Sequence, residues 1–331
     1  MDPFYVNWAI TDRCNLHCIH CRGMESEELN TKEALNLVSD IVEVNPPYVT
    51  LDGGEPLMRS DVIDLLDGFS DDGMTTYLIT NGTLLTSHIM DRITDLGVKL
   101  MISIDGATKT TYEMIRRGAD FDLVLKNAQD CGDRGALKAI SMVMTQLNFK
   151  ELPGMIELAK DLGAEQIIFV GLKPPQNAKF DSLLLTPDQY RESFRAIASE
   201  KSIDVFVDEP FYIPFLEGLG IVSAGCDESG IVAGQAGGCI FGKYMFIEPN
   251  GGVKPCTFAP LSFGNAREKP LTDIWQSMEN SEFLKKIWDP STRKGKCGDC
   301  VHKECMGCRS RTFALTGDWF ATDPACPLEV R

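Results

Sequence analysis

The sequence predicts an α/β protein, built as a partial (β/α)6 barrel of the TIM type with a small cysteine-rich domain behind it. Over residues 1–205, short apolar runs rich in β-branched residues alternate with amphipathic helical patterns. Six such units predict an incomplete barrel, because a full eightfold barrel needs roughly 250 residues. From residue 206 the alternation fades and Gly, Pro and Cys accumulate, which places a bridging segment at 206–220 and a second domain at 221–331.

The six predicted strands are short runs of the kind that is buried on both faces of a parallel sheet. They cover residues 4–10, 48–52, 75–80, 98–104, 139–145 and 166–170. Helices between them imply right-handed crossovers, so the strands are expected to run parallel. Their carboxyl ends then meet at one edge of the barrel, and the active sites of such barrels lie there.

Helical patterns follow five of these strands. The first helix is expected to begin at a cap formed by Asn30 or Thr31. Its predicted apolar face consists of Leu35, Val38, Ile41 and Val42. The others are predicted over residues 62–69, 86–96, 121–133 and 149–162, and Gly97 ends the second of these.

Composition and charge limit the possible partners and the cellular setting. The chain of 331 residues is 44% hydrophobic and has a formal net charge of −16, with scattered basic residues. A nucleic-acid or anionic-membrane partner is therefore not expected, because such surfaces repel an acidic protein. Residues 1–4 lack the basic start of a signal peptide and no long apolar run follows, which predicts a cytoplasmic protein without a membrane span. In such a protein twelve cysteines indicate metal or redox centres rather than disulfides.

Three of the cysteines lie close together directly after the first predicted strand. Cys14, Cys18 and Cys21 have the spacing C-x-x-x-C-x-x-C. Three thiolates on one loop can hold an iron–sulfur cube whose fourth iron has no protein ligand. A structural zinc site is the alternative, although zinc usually takes four closed ligands. A group of unrelated structural thiols is a further alternative.

Residues 13–21 resemble the signature loop of the radical S-adenosylmethionine (SAM) enzymes. The resemblance implies a [4Fe–4S] cluster on Cys14, Cys18 and Cys21, with the amino and carboxylate groups of SAM chelating the open iron. It also implies reductive cleavage of SAM to methionine and a 5′-deoxyadenosyl radical, which takes a hydrogen atom from a substrate carbon. Arg22 departs from the aromatic continuation that is more usual after the last cysteine.

Segments at the ends of other predicted strands are similar to the family's SAM and substrate pocket. Glu55 is expected to accept from the ammonium of SAM, Arg116 to bind its carboxylate, His20 and Phe169 to pack near the adenine, and Asp105 to face the substrate. An ordinary glycine turn, polar turn residues and a solvated surface arginine are the alternatives. The full predicted set is His20, Gly53, Gly54, Glu55, Asn81, Ser103, Asp105, Arg116 and Phe169.

The C-terminal cysteines form a second pattern. Cys239 and Cys256 flank a hairpin-like glycine pair, and a run C-x-x-C-x4-C-x-x-C precedes one more cysteine. This pattern resembles the SPASM extension of radical SAM enzymes, which implies two auxiliary [4Fe–4S] clusters. A zinc ribbon is the alternative, and Cys131 is expected to be a plain structural thiol. The first auxiliary cluster would use Cys297, Cys300, Cys305 and Cys326, and the second would use Cys239, Cys256 and Cys308, with Cys226 as a fourth ligand or an open iron.

The substrate is expected to be a tetrapyrrole. Residues 295–327 look most like the SPASM proteins of alternative haem synthesis and of the haem of nitrite reductase, which trim acetate or propionate side chains. Arg309, Arg311, Arg267 or Lys173 would pair with substrate carboxylates, and ordinary surface charges are the alternative. The alternatives are a maturase that installs a thioether, crosslink or epimerised centre in a peptide, a sulfatase-activating enzyme, and a non-catalytic iron–sulfur carrier or zinc scaffold. The expected electron donor is a ferredoxin or flavodoxin.

Overall fold

The computed structural model describes residues 3–23, 27–173, 182–198, 200, 202–221, 231–232 and 236–328. Its central feature is one sheet of twelve strands among these residues. Every residue of the first strand is buried, as expected for a strand that is covered on both faces. The strands are β1 (Val6–Thr11), β2 (Val49–Gly53), β3 (Thr76–Thr80), β4 (Lys99–Ser103), β5 (Leu137–Met144), β6 (Gln166–Gly171), β7 (Asp204–Asp208), β8 (Ile231–Val232), β9 (Ala236–Gly237), β10 (Met245–Ile247), β11 (Gly252–Lys254) and β12 (Gly264–Asn265).

Strands β1 to β7 form the barrel. They pair in sequence order and all run parallel, so their carboxyl ends lie at one edge. This confirms the predicted partial barrel. Strand β7 adds a parallel strand to the six predicted units and crosses the expected border at residue 205. Its sequence, DVFVD, contains only three apolar residues, too few for the pattern to separate a strand from a loop.

Helices cover the outside of this sheet. The predicted helices over 62–69, 86–96, 121–133 and 149–162 correspond to α2, α3, α5 and α6 below, whereas the seven-residue α4 was not predicted. Among the described residues, no helix is long and apolar enough to cross a membrane. The helices are α1 (Thr31–Val44), α2 (Val62–Asp71), α3 (Ser87–Asp95), α4 (Lys109–Ile115), α5 (Phe121–Asp133), α6 (Leu152–Asp161), α7 (Pro187–Ala198), α8 (Tyr212–Gly218), α9 (Leu271–Glu279), α10 (Glu282–Trp288), α11 (Lys296–Asp299) and α12 (Arg309–Thr316), with 3-10 turns at Pro56–Met58, Phe149–Glu151 and Pro290–Thr292.

Helix α1 shows how a local signal and packing combine. Asn30 caps it through a reciprocal box: its side chain accepts from the backbone N–H of Glu33, and its own N–H donates to the Glu33 carboxylate at 2.9 Å. The predicted apolar face was wrong at Leu35, which is 39% exposed. Leu37 is buried instead, because the buried stripe of the helix consists of Ala34, Leu37, Val38, Ile41 and Val44.

The C-terminal part of the chain joins the same sheet. Strand β10 pairs parallel with β1 on the side opposite β2, and β11 and β12 continue from it as antiparallel strands. The hydrophobic core is also continuous, since Ile274 of α9 and Leu284 of α10 belong to the same buried cluster as the barrel strands. The cysteine-rich region therefore extends the barrel instead of forming a separate layer.

Candidate active site at the carboxyl edge of the barrel

A cavity of about 250 Å³ opens where the barrel strands end. It is bordered by the loop after β1, the last residues of β2, β3 and β6, and residues near the ends of β4 and β5. This is the edge at which the sequence predicts the site. The predicted residues that line the cavity are Cys14, Cys18, His20, Cys21, Gly53, Gly54, Asn81, Ser103 and Arg116.

The loop after β1 brings the thiols of Cys14, Cys18 and Cys21 together. The three groups interact electrostatically. Backbone N–H groups of Leu16 and Gly23 donate to the sulfur atoms of Cys14 and Cys21, each at 3.4 Å. Burial raises the pKa of Cys18 to about 11. The unloaded thiol is therefore neutral at pH 7, and a metal must displace its proton on binding. Three cysteines on one loop that line the same cavity, two of them with N–H donors, fit the ligand set of an iron–sulfur cluster.

Gly53 and Gly54 pack against the start of this loop, backbone to backbone. The N–H of Gly54 donates to the Thr11 carbonyl at 2.7 Å. Gly53 has φ +146°, and a Cβ there would stand 2.3 Å from the same oxygen. A Cβ on Gly54 would stand 2.2 Å from the carbonyl oxygen of Arg13. The glycines therefore allow the cysteine loop to approach β2 more closely than any side chain would permit.

Glu55, predicted together with the neighbouring carbonyls to accept from the ammonium of SAM, is not among the residues that line the cavity. The side chain is fully buried. It accepts from the backbone N–H groups of Leu57 at 3.1 Å and Asn81 at 2.8 Å, and from the Thr80 hydroxyl at 2.7 Å. Both carboxylate oxygens are thus occupied by the protein. Glu55 therefore links the end of β2 to the end of β3 by hydrogen bonds. Burial raises the pKa of its carboxyl group.

Asn81 and Ser103 lie at the cavity as predicted. The amide of Asn81 donates to Asn15 at 2.9 Å, and its nitrogen lies 4.0 Å from the sulfur of Cys14. Ser103 accepts a hydrogen bond of 3.3 Å from Ser141 on the neighbouring strand. Their polar groups are therefore held in place at the wall of the cavity.

Asp105 organises the wall instead of facing a substrate. Its carboxylate is fully buried and accepts from the N–H of Val143 at 2.7 Å. It lies 2.7 Å from Nε of Arg116 and 3.4 Å from Nε2 of His20. Arg116 is buried, which excludes a solvated surface charge. Burial lowers the pKa of His20, so the neutral ring is favoured at this position.

The apolar side chain that β6 contributes to the cavity is not the predicted one. Phe169 is fully buried in the hydrophobic core and does not line the cavity. Its neighbour Val170 does. Side chains alternate along a strand, so a prediction one residue out of phase selects the wrong face. Asp52 and Phe258 also line the cavity and were not predicted; for Asp52, its position beside the glycine pair was the available signal.

Family models match both parts of the chain. The radical SAM superfamily model matches residues 8–159, which contain the three-cysteine loop, and the SPASM iron–sulfur cluster-binding domain matches residues 239–301. The AdoMet-dependent heme synthase of Methanosarcina barkeri, named for SAM under its other abbreviation, is 34% identical over 343 residues, which cover 98% of this chain and 96% of that protein. The chain belongs to the radical SAM superfamily. It is an enzyme of the type with a SPASM domain.

Other relatives of this radical SAM enzyme differ in their reactions. The PqqA peptide cyclase of Bradyrhizobium diazoefficiens is 28% identical, over 98% of this chain and 86% of that one. Streptococcus suis SuiB superposes with a TM-score of 0.79 at 18% identity, covering 98% of this chain and 77% of that one. The protein anSMEcpe, solved with AdoMet and a peptide, gives 0.74 at 18% identity, covering 97% and 93%. At these identities the two structural likenesses show the fold alone.

The cysteines of the SPASM region influence one another's pKa in two sets. Cys305 interacts electrostatically with Cys297, Cys300 and Cys326. Cys239 does so with Cys256, and Cys308 with Cys239. Among the described residues, no three His, Cys, Asp or Glu side chains are arranged to hold a single metal ion. Cys226 lies outside the described residues, and Cys131 is buried in α5.

Three of the four cations suggested for substrate carboxylates are engaged elsewhere. Arg311 is fully buried between Glu209 at 2.7 Å and Asp323 at 2.8 Å. Arg309 is buried and donates to two backbone carbonyls, and Arg267 pairs with Glu33 at 3.1 Å outside the cavity. Sequence alone does not reveal such pairing, because the partners are distant in the chain. The fourth cation, Lys173, lines the cavity.

Proposed function

We propose that this enzyme reductively cleaves SAM and uses the resulting 5′-deoxyadenosyl radical to modify carboxylate side chains of a tetrapyrrole in haem-type cofactor biosynthesis. The observation that carries the proposal is the single cavity on which the three-cysteine loop, the glycine pair, Ser103 and Arg116 converge. Cluster, SAM and substrate must share one enclosed space, because a radical reacts with whatever it meets first.

Cys14, Cys18 and Cys21 would hold the radical SAM cluster. The three cysteines line one cavity, and the N–H groups of Leu16 and Gly23 donate to the sulfur atoms of Cys14 and Cys21, as they would to ligands of a bound cluster. When bound, the cluster and SAM supply the one-electron reduction and the 5′-deoxyadenosyl radical. The protein supplies position, charge and exclusion of water.

Arg116 would bind the carboxylate of SAM. Its ion pair with Asp105 engages Nε, so the terminal N–H groups are the ones that would meet the ligand in a bidentate pair. Asp105 thereby fixes the orientation of both Arg116 and His20. Ser103 and the backbone at Gly53 and Gly54 would contact the remaining polar groups of SAM.

His20 would pack against the adenine. Its ring lines the cavity and is held near Asp105. Val170, on β6, would form the apolar wall that sequence reasoning had assigned to Phe169. A neutral imidazole suits this position, since a charged ring would have to be desolvated next to an aromatic base.

The SPASM region would hold two auxiliary [4Fe–4S] clusters. The electrostatic grouping supports one cluster on Cys297, Cys300, Cys305 and Cys326. It supports the other on Cys239, Cys256 and Cys308, with a fourth ligand left to Cys226 or to a substrate. These clusters would carry electrons to or from the substrate, and a ferredoxin or flavodoxin would be the external donor.

A tetrapyrrole is favoured over a peptide because the similarity to the heme synthase is higher and nearly complete on both chains. A peptide substrate is the second candidate. The observation that favours it is the 28% identity with the PqqA peptide cyclase over 98% of this chain.

Anaerobic reconstitution with iron and sulfide tests the chemistry. With dithionite, the wild-type protein should convert SAM to methionine and 5′-deoxyadenosine, measured by liquid chromatography. Cys18→Ala should abolish this release, whereas the buried thiol variant Cys131→Ala serves as a matched control and should retain it. Binding of zinc at the three cysteines, or intact SAM after reduction, would contradict the proposal.

A panel of candidate substrates tests whether the enzyme acts on a tetrapyrrole. Tetrapyrroles with acetate and propionate side chains should accelerate release of 5′-deoxyadenosine and lose carbon dioxide, which mass spectrometry detects. A matched set of peptides encoded beside the gene is the comparison. Acceleration by a peptide, with no response to any tetrapyrrole, would make the enzyme a peptide maturase.

A further inference from the structure

We propose that Arg22 and Lys173, which line the same cavity, form a clamp for two carboxylates of the substrate. The inference rests on the proposed tetrapyrrole function and names the residues that would recognise that substrate. Both side chains line the same cavity. Arg22 follows the last cysteine of the loop, and Lys173 follows β6.

Lys173 is a buried ammonium that, among the described residues, makes one hydrogen bond. Its side chain is 9% exposed, and Nζ donates to the backbone carbonyl of Asp208 at 2.9 Å. The carboxylates of Asp208 and Glu209 lie 3.7 and 3.8 Å away, beyond hydrogen-bond distance. An ammonium has three N–H donors. Within the described residues, its contacts therefore satisfy one donor, and an anion in the cavity would satisfy the others.

The nearest buried carboxylate, that of Glu209, is held by hydrogen bonds from Arg311, a cation that it shares with Asp323. Glu209 accepts from Arg311 at 2.7 and 3.0 Å and lies 3.3 Å from the Tyr190 hydroxyl. The missing side chain of Gly171 makes room for it, since a Cβ there would stand within van der Waals overlap of the Glu209 carboxylate. Glu209 is therefore fixed behind Lys173 by another cation and does not complete its coordination.

Arg22 reaches the same cavity from the loop after β1. Its side chain is 17% exposed, and its terminal nitrogen lies 3.7 Å from Asp52. The guanidinium lies over the ring of Phe246 on β10, 4.9 Å from the centroid. Stacking holds one face of the planar group and leaves its N–H edge for a carboxylate. This is the position at which the signature loop departs from the more usual aromatic residue.

Apart from the cations, much of the cavity lining is apolar. Leu16, Ile79, Val143, Leu172 and Phe258 line it, in addition to Val170, which is assigned to the adenine. A flat apolar ring with acidic groups at its rim matches this arrangement, because its body would cover the apolar side chains and its carboxylates would meet the cations. An uncharged ligand would displace water from both cations and bring no negative charge beyond that of Asp52, Asp208 and Glu209, which already lie near them.

Equilibrium binding tests the clamp independently of turnover. The probe is iron coproporphyrin III, which has four propionates, titrated into the full chain after anaerobic reconstitution and followed by its Soret absorbance. Its tetramethyl ester has the same ring without the charges. The wild-type protein should bind the acid at least about tenfold more tightly than the ester.

Single variants assign the effect to the two residues. Lys173→Met and Arg22→Gln should each weaken binding of the acid by about tenfold and leave the ester nearly unchanged, because each removes one charged hydrogen-bond donor. Lys126→Met, on the exposed surface of α5, is the matched control and should stay within about twofold of wild type. Iron content reports whether the cysteine loop is intact. If Arg22→Gln loses iron, Arg22→Lys is used in its place. This variant should still bind the acid more weakly and the ester unchanged, because an ammonium lacks the planar pair of N–H donors of a guanidinium.

The outcomes separate the clamp from the proposed function. Iron-loaded variants that bind the acid as wild type does would overturn the clamp while the tetrapyrrole function stands. If the variants bind the acid and the ester more weakly by the same factor, the clamp is also overturned, because the two residues would then affect the shape of the cavity and not the binding of carboxylates. A wild-type protein that binds neither porphyrin, and responds to a peptide, would overturn the proposed function itself.

Discussion

Gly54→Ala is expected to damage the three-cysteine loop. A Cβ at this position would stand 2.2 Å from the carbonyl oxygen and 2.6 Å from the carbonyl carbon of Arg13, distances that real Cβ atoms do not show. The obstacle is backbone, so no side-chain rotation relieves it. Arg13 precedes Cys14 directly, and its carbonyl also accepts from the N–H of Glu55 at 2.7 Å. The chain must therefore move at the residue that places the first thiol.

The size of the effect follows from that displacement. Overpacking of this kind costs about 1–3 kcal/mol of stability. A shift of about 1 Å at a reacting centre lowers rates by about 100-fold. We expect Gly54→Ala to fold, to bind less iron at the N-terminal site, and to release 5′-deoxyadenosine at about 1% of the wild-type rate.

The assay combines iron analysis, electron paramagnetic resonance of the reduced protein and chromatography of 5′-deoxyadenosine. Gly218→Ala is the matched control, because a Cβ at this helical glycine meets nothing within 4 Å. That change should be neutral or stabilising by up to about 1 kcal/mol. Gly54→Ala with wild-type iron content and a release rate within about twofold of wild type would refute the reasoning, because a misplaced loop must lower both.

Three further predictions concern the rest of the structure. Arg311→Met leaves two buried carboxylates without their cation and should destabilise the protein by about 3–5 kcal/mol, seen as a lower melting temperature; an unchanged temperature would contradict the buried ion network. Leu37→Ala should cost about 2–5 kcal/mol by denaturation, whereas Leu35→Ala, at an exposed position, should cost under about 1 kcal/mol, and equal effects would show that the helix face is misassigned. Burial raises the pKa of Cys131 to about 12, so iodoacetamide should label this thiol only after unfolding, as mass spectrometry can determine.

Local signals predicted much of the fold. Helix α5 occupies the predicted residues 121–133, because Asp120 caps it and the apolar residues repeat with helical spacing. Gly97 ends the turn after α3 with φ +66°, a conformation that favours glycine. Such elements depend on neighbours in sequence, so the sequence contains the information needed to place them.

The errors arose where distant contacts decide the outcome. Phe169 and Val170 are both apolar, and only the packing of helices on one face of β6 determines which one reaches the cavity. Glu55 is polar and close in sequence to the predicted SAM site, but its carboxylate accepts hydrogen bonds from Thr80 and Asn81 at the end of β3. Arg311 finds Glu209 across 102 residues of chain. In each case the sequence shows the type of residue, but it does not show which distant residues surround it in the folded chain.

The place of β10 beside β1 affects how the protein is made. Val6 pairs with Met245, so the first strand of the barrel lacks this neighbour until residues much later in the chain have left the ribosome. At roughly 5–20 residues per second, synthesis leaves that strand without its second neighbour for ten seconds or more. The cysteine loop is attached to the same strand. Its cofactor would consequently be loaded either during this interval, when the loop is still accessible from one side, or after the C-terminal strand has enclosed it.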